Sequence, residues 1–245
     1  MNYRITPIKL GNFCDFEKSS FTYGKDAGTK LSSPVFVFLV QGNGKNILFD
    51  SGPVSPQEAP NKTHRLLKNH ISLLTGLQEK NISPKDIDAV VLSHLHWDHS
   101  YNLEYFNKIP IYVQKKELEY ALVPLPCQYI SYNVHNGNGL PQWLNGYENF
   151  KIINGDYLLH DGLELITLPG HTPGLQGLAV NTQDGRYILC SDQYPLLENY
   201  TSGIPSGIIA DLSAWYKSHE KVIGLGAKVL PAHDDLIMKQ QVYGA

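Results

Sequence analysis

The stretch Ala89–Ser100, A-V-V-L-S-H-L-H-W-D-H-S, constrains this chain more than any other. Its apolar start (Ala89, Val90, Val91, Leu92) reads as a buried strand, and the polar residues after it read as a loop at the strand's end. If the backbone stays extended just past the strand, His94, His96 and Asp98 point to one side, because side chains alternate with a period of two. His99 follows as the chain turns. Four nitrogen and oxygen donors thus fall within six residues, and they include three of the chain's ten histidines. Neutral imidazole and carboxylate suit zinc and related divalent ions, and a single tetrahedral site would use only three or four of them. The cluster reads as a metal-binding loop rather than as ordinary hydrogen-bonded histidines.

Three more donors repeat one design, an apolar strand with a ligand type at its end. His171 lies in L-P-G-H-T-P-G, a turn made rigid by two prolines and two glycines. Asp192 follows the apolar run Tyr187 to Cys190, and His233 follows Val229-Leu230. Loops at strand ends are where a rigid scaffold presents its site residues.

H-L-H-W-D-H resembles the H-x-H-x-D-H signature of the metallo-β-lactamase superfamily, and His171, Asp192 and His233 come in the order of that superfamily's further metal-binding motifs. The resemblance implies an α/β fold, a four-layer αβ/βα sandwich of two mixed β-sheets packed face to face with helices outside. It also implies two divalent metal ions, zinc in the first place, with iron, manganese or cobalt as other options. His94, His96 and His171 would hold one ion, Asp98, His99 and His233 the second, and Asp192 would bridge both. Asp50, in I-L-F-D-S-G, would support the metal loop from behind rather than ligate.

Within the superfamily the chain is most like the N-acyl homoserine lactonases. The likeness runs through S-H-L-H-W-D-H, I-Y-V-Q-K-K-E-L-E-Y-A-L, F-K-I-I-N-G-D-Y, L-P-G-H-T-P-G and the S-D-Q-Y region. It implies opening of a lactone ring by hydroxide, formed from a water that two metals acidify from a pKa of 15.7 towards ~7. Asp98 and Asp192 would carry protons, and Tyr194 would donate a hydrogen bond to the carbonyl oxygen. Trp97, Tyr101 and Ile208 are expected to wall the substrate pocket. Tyr194 lies two residues after Asp192, where those lactonases usually have three, and Gln176 stands where they usually have histidine. Hydrolysis of another ester, a thioester, an amide or a phosphodiester therefore stays open. Iron-dependent oxidoreductase chemistry, which other relatives perform, ranks after those.

The rest of the chain is organised around these loops. Strands are expected at Tyr3 to Leu10, Pro34 to Val40 and Asn46 to Asp50, the last two joined by the Asn43-Gly44 turn, a strong hairpin signal. Gly11 to Ser33 shows no period and reads as a loop that curls towards the site. Thr63 to Leu77 carries a rough helical stripe, Ser83 to Asp86 a helix start, Lys115 to Leu122 a short helix and Asp211 to Gly224 a longer one. A short strand is expected at Ile109 to Val113, five more between Lys151 and Cys190, and a last one at Lys228 to Leu230. Pro124 to Asn149, rich in aromatics and glycine, reads as a segment that covers the substrate.

No linker or repeat divides the chain, so residues 1–245 form one domain. With 20 basic against 23 acidic residues there is no electrostatic case for nucleic acid or an anionic membrane. No apolar run approaches the ~18 residues of a membrane span, so the expected partner is a small molecule and no membrane. Three cysteines at scattered spacing (Cys14, Cys127, Cys190) indicate no disulfide framework, and a reduced, cytoplasmic setting is expected. Oligomeric state is left open.

Overall fold

P-V-F-V-F-L-V at 34–40 puts Phe36, Phe38 and Val40 on one face and Val37 and Leu39 on the other, and all five are buried. A strand with both faces buried has to lie inside a layered structure. The computed structural model describes residues 2–58, 66–132 and 141–245, and it places this strand between layers. One mixed sheet contains β1 (Arg4–Glu17), β2 (Lys30–Gly42), β3 (Lys45–Phe49), β4 (Leu67–Lys68), β5 (Ala89–Val91), β6 (Ile111–Gln114) and β7 (Phe150–Ile153). Their order is β4-β1-β2-β3-β5-β6-β7, antiparallel up to β3 and parallel from there. The second sheet holds β8 (Tyr157–His160), β9 (Leu163–Thr167), β10 (Gln176–Thr182), β11 (Gly185–Ser191) and β12 (Lys228–Pro231). Its order is β12-β11-β10-β9-β8, with only β11 and β12 parallel.

The two sheets bury one apolar face each against the other. Phe36, Phe38, Val40, Phe49 and Val91 meet Leu163, Leu165, Leu178, Val180 and Leu189 there. On the outside of the larger sheet, Val37, Leu39, Leu48 and Val90 are covered by α1 (Leu73–Gln78), α2 (Lys115–Leu122) and the 3-10 turn Gln142–Asn149 with Trp143. On the outside of the smaller sheet, Ala179 and Ile188 are covered by Trp215 and Val222 of α5 (Leu212–Gly224). Helix, sheet, sheet, helix is the four-layer α/β sandwich. Two short helices, α3 (Tyr129–Tyr132) and α4 (Leu197–Ser202), flank the rim described below.

Two expectations need correction. Gly11 to Ser33 is not a loop: β1 and β2 go on pairing through Glu17 and Lys30, across register shifts at Lys9/Gly11 and Phe13/Phe16. Such irregularities break strict alternation, which is why no period is visible there. The stripe at Thr63 to Leu77 is not one helix. Residues 63–65, with His64, lie outside the described residues, Leu67 pairs with Phe13 in β4, and the α-helix among the described residues is Leu73–Gln78, capped by Ser72 Oγ accepting from Thr75 N at 3.1 Å. Ser83 to Asp86 is a helix start as read, with Ser83 as the cap and Pro84 in the first turn, and what it starts is a single 3-10 turn.

Parallel pairing brings the site residues to one rim. Asp50 and His94 leave the neighbouring strands β3 and β5 on the same side, and Asp192 and His233 do so from β11 and β12. The His171 turn joins β9 to β10 at that end, and Gln176 N donates to Ser93 O at 2.9 Å, tying the rims of the two sheets together. Ligands in open α/β sheets bind outside the carboxyl ends of strands.

Candidate metal centre

Two groups of donors meet at this rim. His94, His96, His171 and Asp192 offer atoms all within 4.8 Å of one another, as do Asp98, His99 and His233. One carboxylate reaches both groups. Asp192 Oδ1 lies 3.2 Å from His233 Nε2 and 3.3 Å from His99 Nε2, while its Oδ2 lies 3.4 Å from His171 Nε2. Asp98 Oδ2 is 3.5 Å from His99 Nε2 and 3.7 Å from His233 Nε2.

The far side of each ring is held. Ser93 Oγ meets His94 Nδ1 at 2.9 Å, Asp50 Oδ2 meets His99 Nδ1 at 2.8 Å, and the carbonyls of Ile208 and Pro34 meet Nδ1 of His171 and His233 at 2.6 and 2.8 Å. Partners of this kind orient metal-binding imidazoles and fix which nitrogen is free. Nε2 of His94 and His99 and Oδ1 of Asp192 are buried without a hydrogen-bond partner among the described residues. Buried polar atoms left over in one place, all of them ligand types, fit a cation between them. The residues present therefore fit two divalent ions.

The charges agree. Burial pushes His94, His96 and His171 below the usual histidine range, so they are neutral and ready to ligate. Burial also disfavours charge on His99 and His233, yet Asp98 and Asp192 outweigh it and raise both. Burial would raise Asp192 as well, but His233, His99 and His171 hold it well below the usual carboxylate range. This is a cluster that demands positive charge from whatever fills it.

Asp50 stands behind the loop, its backbone at φ 63°, with Oδ1 accepting from Ser93 N at 2.7 Å and Oδ2 from Ser93 Oγ at 2.9 Å. It touches His99 by the ring nitrogen opposite the other donors, the place expected of a support. Glu117 of α2, absent from the expected site, is fully buried and accepts from Leu95 N at 2.9 Å, Tyr132 Oη at 2.7 Å and Thr172 Oγ1 at 2.6 Å. It joins the His94–His99 loop to the His171 turn. A glutamate on a short polar helix gives no sequence sign of this; Ser93, squeezed between strand and first histidine, does.

A model of the metallo-β-lactamase superfamily matches residues 32–233, most of the chain. The chain belongs to that superfamily. An N-acyl homoserine lactonase of Bacillus thuringiensis is 28% identical over 205 residues, 78% of this chain and 76% of that protein. The solved structure of a quorum-quenching N-acyl homoserine lactone lactonase matches with a TM-score of 0.79 at 26% identity, over 98% of this chain and 95% of that one. An N-acyl homoserine lactone hydrolase, solved with N-hexanoyl-L-homoserine at its catalytic metal centre, matches with a TM-score of 0.79 at 25% identity, over 98% and 96%. This metallo-β-lactamase-fold protein is a metal-dependent hydrolase.

Above the donors the superfamily fold carries a cleft lined by Phe13, Phe16, Phe21, Trp97, Ile130 and Ile208, together with His96, Asp98, Asp192 and His233. Its enclosed volume is about 60 Å³. A larger hollow near Asn2, Arg4 and Gln183 holds none of the metal-type clusters. Trp97 and Ile208 thus face the cleft. Tyr101 is not among the lining residues; its half-buried ring packs on the cluster of Phe13, Trp97 and Leu196. The three phenylalanines come from the β1–β2 hairpin, and their approach to the site follows from the bends in that hairpin.

Tyr194 also departs from expectation. It is fully buried, its ring packs on Trp215 and Tyr200, and its hydroxyl meets His219 Nδ1 at 2.7 Å. Burial pushes the phenol's pKa up, and the residue is not part of the cleft lining. The chain bends after β11 at Ser191 (φ 47°), with Gln193 N and Tyr194 N donating back to the carbonyls of Cys190 and Ser191. Asp192 then faces the donors and Tyr194 the core under α5. Tyr194→Phe is expected to leave turnover unchanged and to cost about 0.5–1.5 kcal/mol of stability for the lost hydrogen bond. Steady-state kinetics and thermal unfolding of the same sample check both parts; a large fall in kcat would put the phenol back in the reaction.

Proposed function

We propose that this hydrolase opens a lactone ring of the N-acyl homoserine lactone kind at a centre of two divalent ions, zinc by preference. The observation that carries the reading is the carboxylate-bridged donor pair lying directly beneath an aromatic and aliphatic cleft. His94, His96 and His171 would hold one ion, Asp98, His99 and His233 the other, and Asp192 both. When bound, such ions supply polarisation of an ester carbonyl and a water acidic enough to ionise near neutral pH.

The chain's own residues do the rest. Asp98 belongs to the donor set and also faces the cleft, so it is placed to take the proton that the attacking water loses and to pass it to the ring oxygen as the ester bond breaks. Asp192, deeper between the two groups, is held ionised by the imidazoles around it. Phe13, Phe16, Phe21, Trp97 and Ile208 offer an apolar wall to an acyl chain and keep water from the reacting ester, which strengthens the electrostatics beneath. Trp97 is fixed over the cleft by its backbone N–H, which donates to Ser131 O at 2.9 Å. The segment 124–149 contributes Ile130 and Ser131 to the lining, in keeping with a covering role, and its residues 133–140 lie outside the described structure. The free cysteines fit the cytoplasmic setting inferred from their spacing, and among the described residues no helix is long and apolar enough to cross a membrane.

The test is hydrolysis of acyl homoserine lactones of several chain lengths, beside an unsubstituted lactone and an aryl ester, with metal content measured on the same sample. Turnover should rise with the acyl chain and require about two metals per chain. Two bound metals without lactone turnover would move the reaction to another ester, thioester or amide. Full activity after metal removal would defeat the scheme altogether.

A further inference from the structure

One wall of the cleft hangs on a buried amide that is not itself in the lining. Asn199 of α4 is fully buried, and its Nδ2 donates to Phe21 O at 2.7 Å and to Ile204 O at 2.9 Å. Its Oδ1 accepts from Leu196 N at 2.8 Å. Reversed, the amide would set oxygen against both carbonyls and nitrogen against an N–H, so the partners allow only this orientation.

Phe21 belongs to the tip of the β1–β2 hairpin, between Glu17 and Lys30, and Ile204 to the strap that leads from α4 to Ile208. Tip and strap run against each other. Tyr23 N donates to Pro205 O at 2.9 Å, and Ile208 N donates to Ser20 O at 3.2 Å. The approach is close, since a Cβ on Gly207 would meet Ser19 O at 1.8 Å. The Phe21 ring is thereby stacked on the imidazole of His233, with centroids 5.4 Å apart at 24°, and lies 5.0 Å from Phe16. Both phenylalanines line the cleft above the donors.

Ion pairs hold the same tip from outside, Lys18 to Glu198 at 3.0 Å and Lys25 to Glu198 at 2.5 Å. Those groups are partly exposed, so water and salt screen their attraction and they fix the tip weakly. The bond from Asn199 to Phe21 O is buried, and its loss would leave that carbonyl short of a donor inside the fold.

We propose that Asn199 is a positioning residue for substrate selection: it seats the hairpin tip so that Phe21 closes the cleft against an acyl chain. The reacting ester belongs at the donors, whereas the chain beyond it runs along the phenylalanines. A displaced tip therefore costs the chain its wall and leaves the chemistry beneath. The choice of substrate rests on the lactone reading.

Asn199→Asp keeps the shape and the oxygen for Leu196 N but turns lone pairs on the two carbonyls. The ratio of kcat/KM for a long-chain acyl homoserine lactone to that for an unsubstituted lactone should fall roughly 10-fold, the low end of what one methylene of apolar contact gives. The fall should lie in KM, with kcat and zinc content near those of the wild type, because the lost contact is shared by ground and transition states. A folding defect would lower both substrates together. The His233 ring proton should also move as the Phe21 ring leaves it, which NMR reads with no substrate present. Wild-type protein without lactone turnover would defeat the lactone reading alone, and the ratio is then taken on aryl esters of long and short acyl chain. An unchanged ratio overturns the proposal, as does an unmoved His233 proton. Should Asn199→Asp fail to fold, Asn199→Ser, which keeps an oxygen and lacks the amide donors, decides by the same two readings.

Discussion

Asp192→Asn should reduce zinc from two ions per chain to one or fewer and cut lactone turnover by more than ~100-fold, since a bridging ligand should matter more than the outer partners whose loss costs 10–100-fold. The two donor groups are separate triads of side chains that share this carboxylate. Oδ1 faces His99 and His233, and Oδ2 faces His171. The amide of asparagine keeps the shape but replaces one oxygen with an N–H₂ that only donates, so one of the two groups meets a hydrogen where it needs a lone pair. It also removes one of the two negative charges, Asp98 and Asp192, that the donor set contributes. Two dications in one buried centre repel, and the carboxylate between them is the group placed to offset that repulsion.

Metal analysis after gel filtration and steady-state rates on the same sample separate the two claims. Zinc falling with activity in Asp192→Asn is the expected pair of results. Two ions retained with turnover intact would mean that the bridge is not Asp192. Circular dichroism on both proteins guards against a folding defect, which would lower every signal together.

Much of this centre is legible in the chain because its ligands follow buried strands, and such strands announce themselves as short apolar runs. Val90 and Val91 before His94, Ile188 to Cys190 before Asp192 and Val229-Leu230 before His233 mark rim positions before any coordinate is known. What the chain conceals depends on rotation or on partners distant in sequence. Phe13, Phe16 and Phe21 reach the cleft because register shifts bend the β1–β2 hairpin, and those same shifts erase the period that would have revealed a strand. Tyr194 turns into the core after the backbone bend at Ser191, and its two-residue spacing from Asp192, where the lactonases usually have three, is the one sign of this in the chain. Tyr101 follows the metal loop directly, yet its ring packs on the Phe13, Trp97 and Leu196 cluster without being among the lining residues. Glu117 and Asn199 matter through partners on other segments, Thr172 and Phe21 among them, which no local pattern encodes.

Glu117→Ala should destabilise the fold by about 3–5 kcal/mol, since each buried donor left without an acceptor costs about 1–3 kcal/mol. For a chain of this size that corresponds to a fall in Tm of roughly 6–20 °C. The carboxylate is fully buried and receives Leu95 N, Tyr132 Oη, Thr172 Oγ1 and Gly174 N, so alanine strands donors from three segments at once. Glu117→Gln adds a finer reading. Burial raises the pKa of Glu117 despite its donors, so the folded chain binds this proton more tightly than the unfolded one. Its contribution to stability is therefore full below the unfolded value near 4.5 and declines as pH rises through the folded value. Glutamine has no such titration, so the gap in unfolding free energy between wild type and Glu117→Gln should be widest in acid and narrow towards neutral pH. Denaturant unfolding of both proteins across that range, in chelator so that zinc loss does not intervene, measures it. A gap that widens with rising pH would mean that the fold prefers the ionised carboxylate, and Glu117 would then hold the two loops together as an anion.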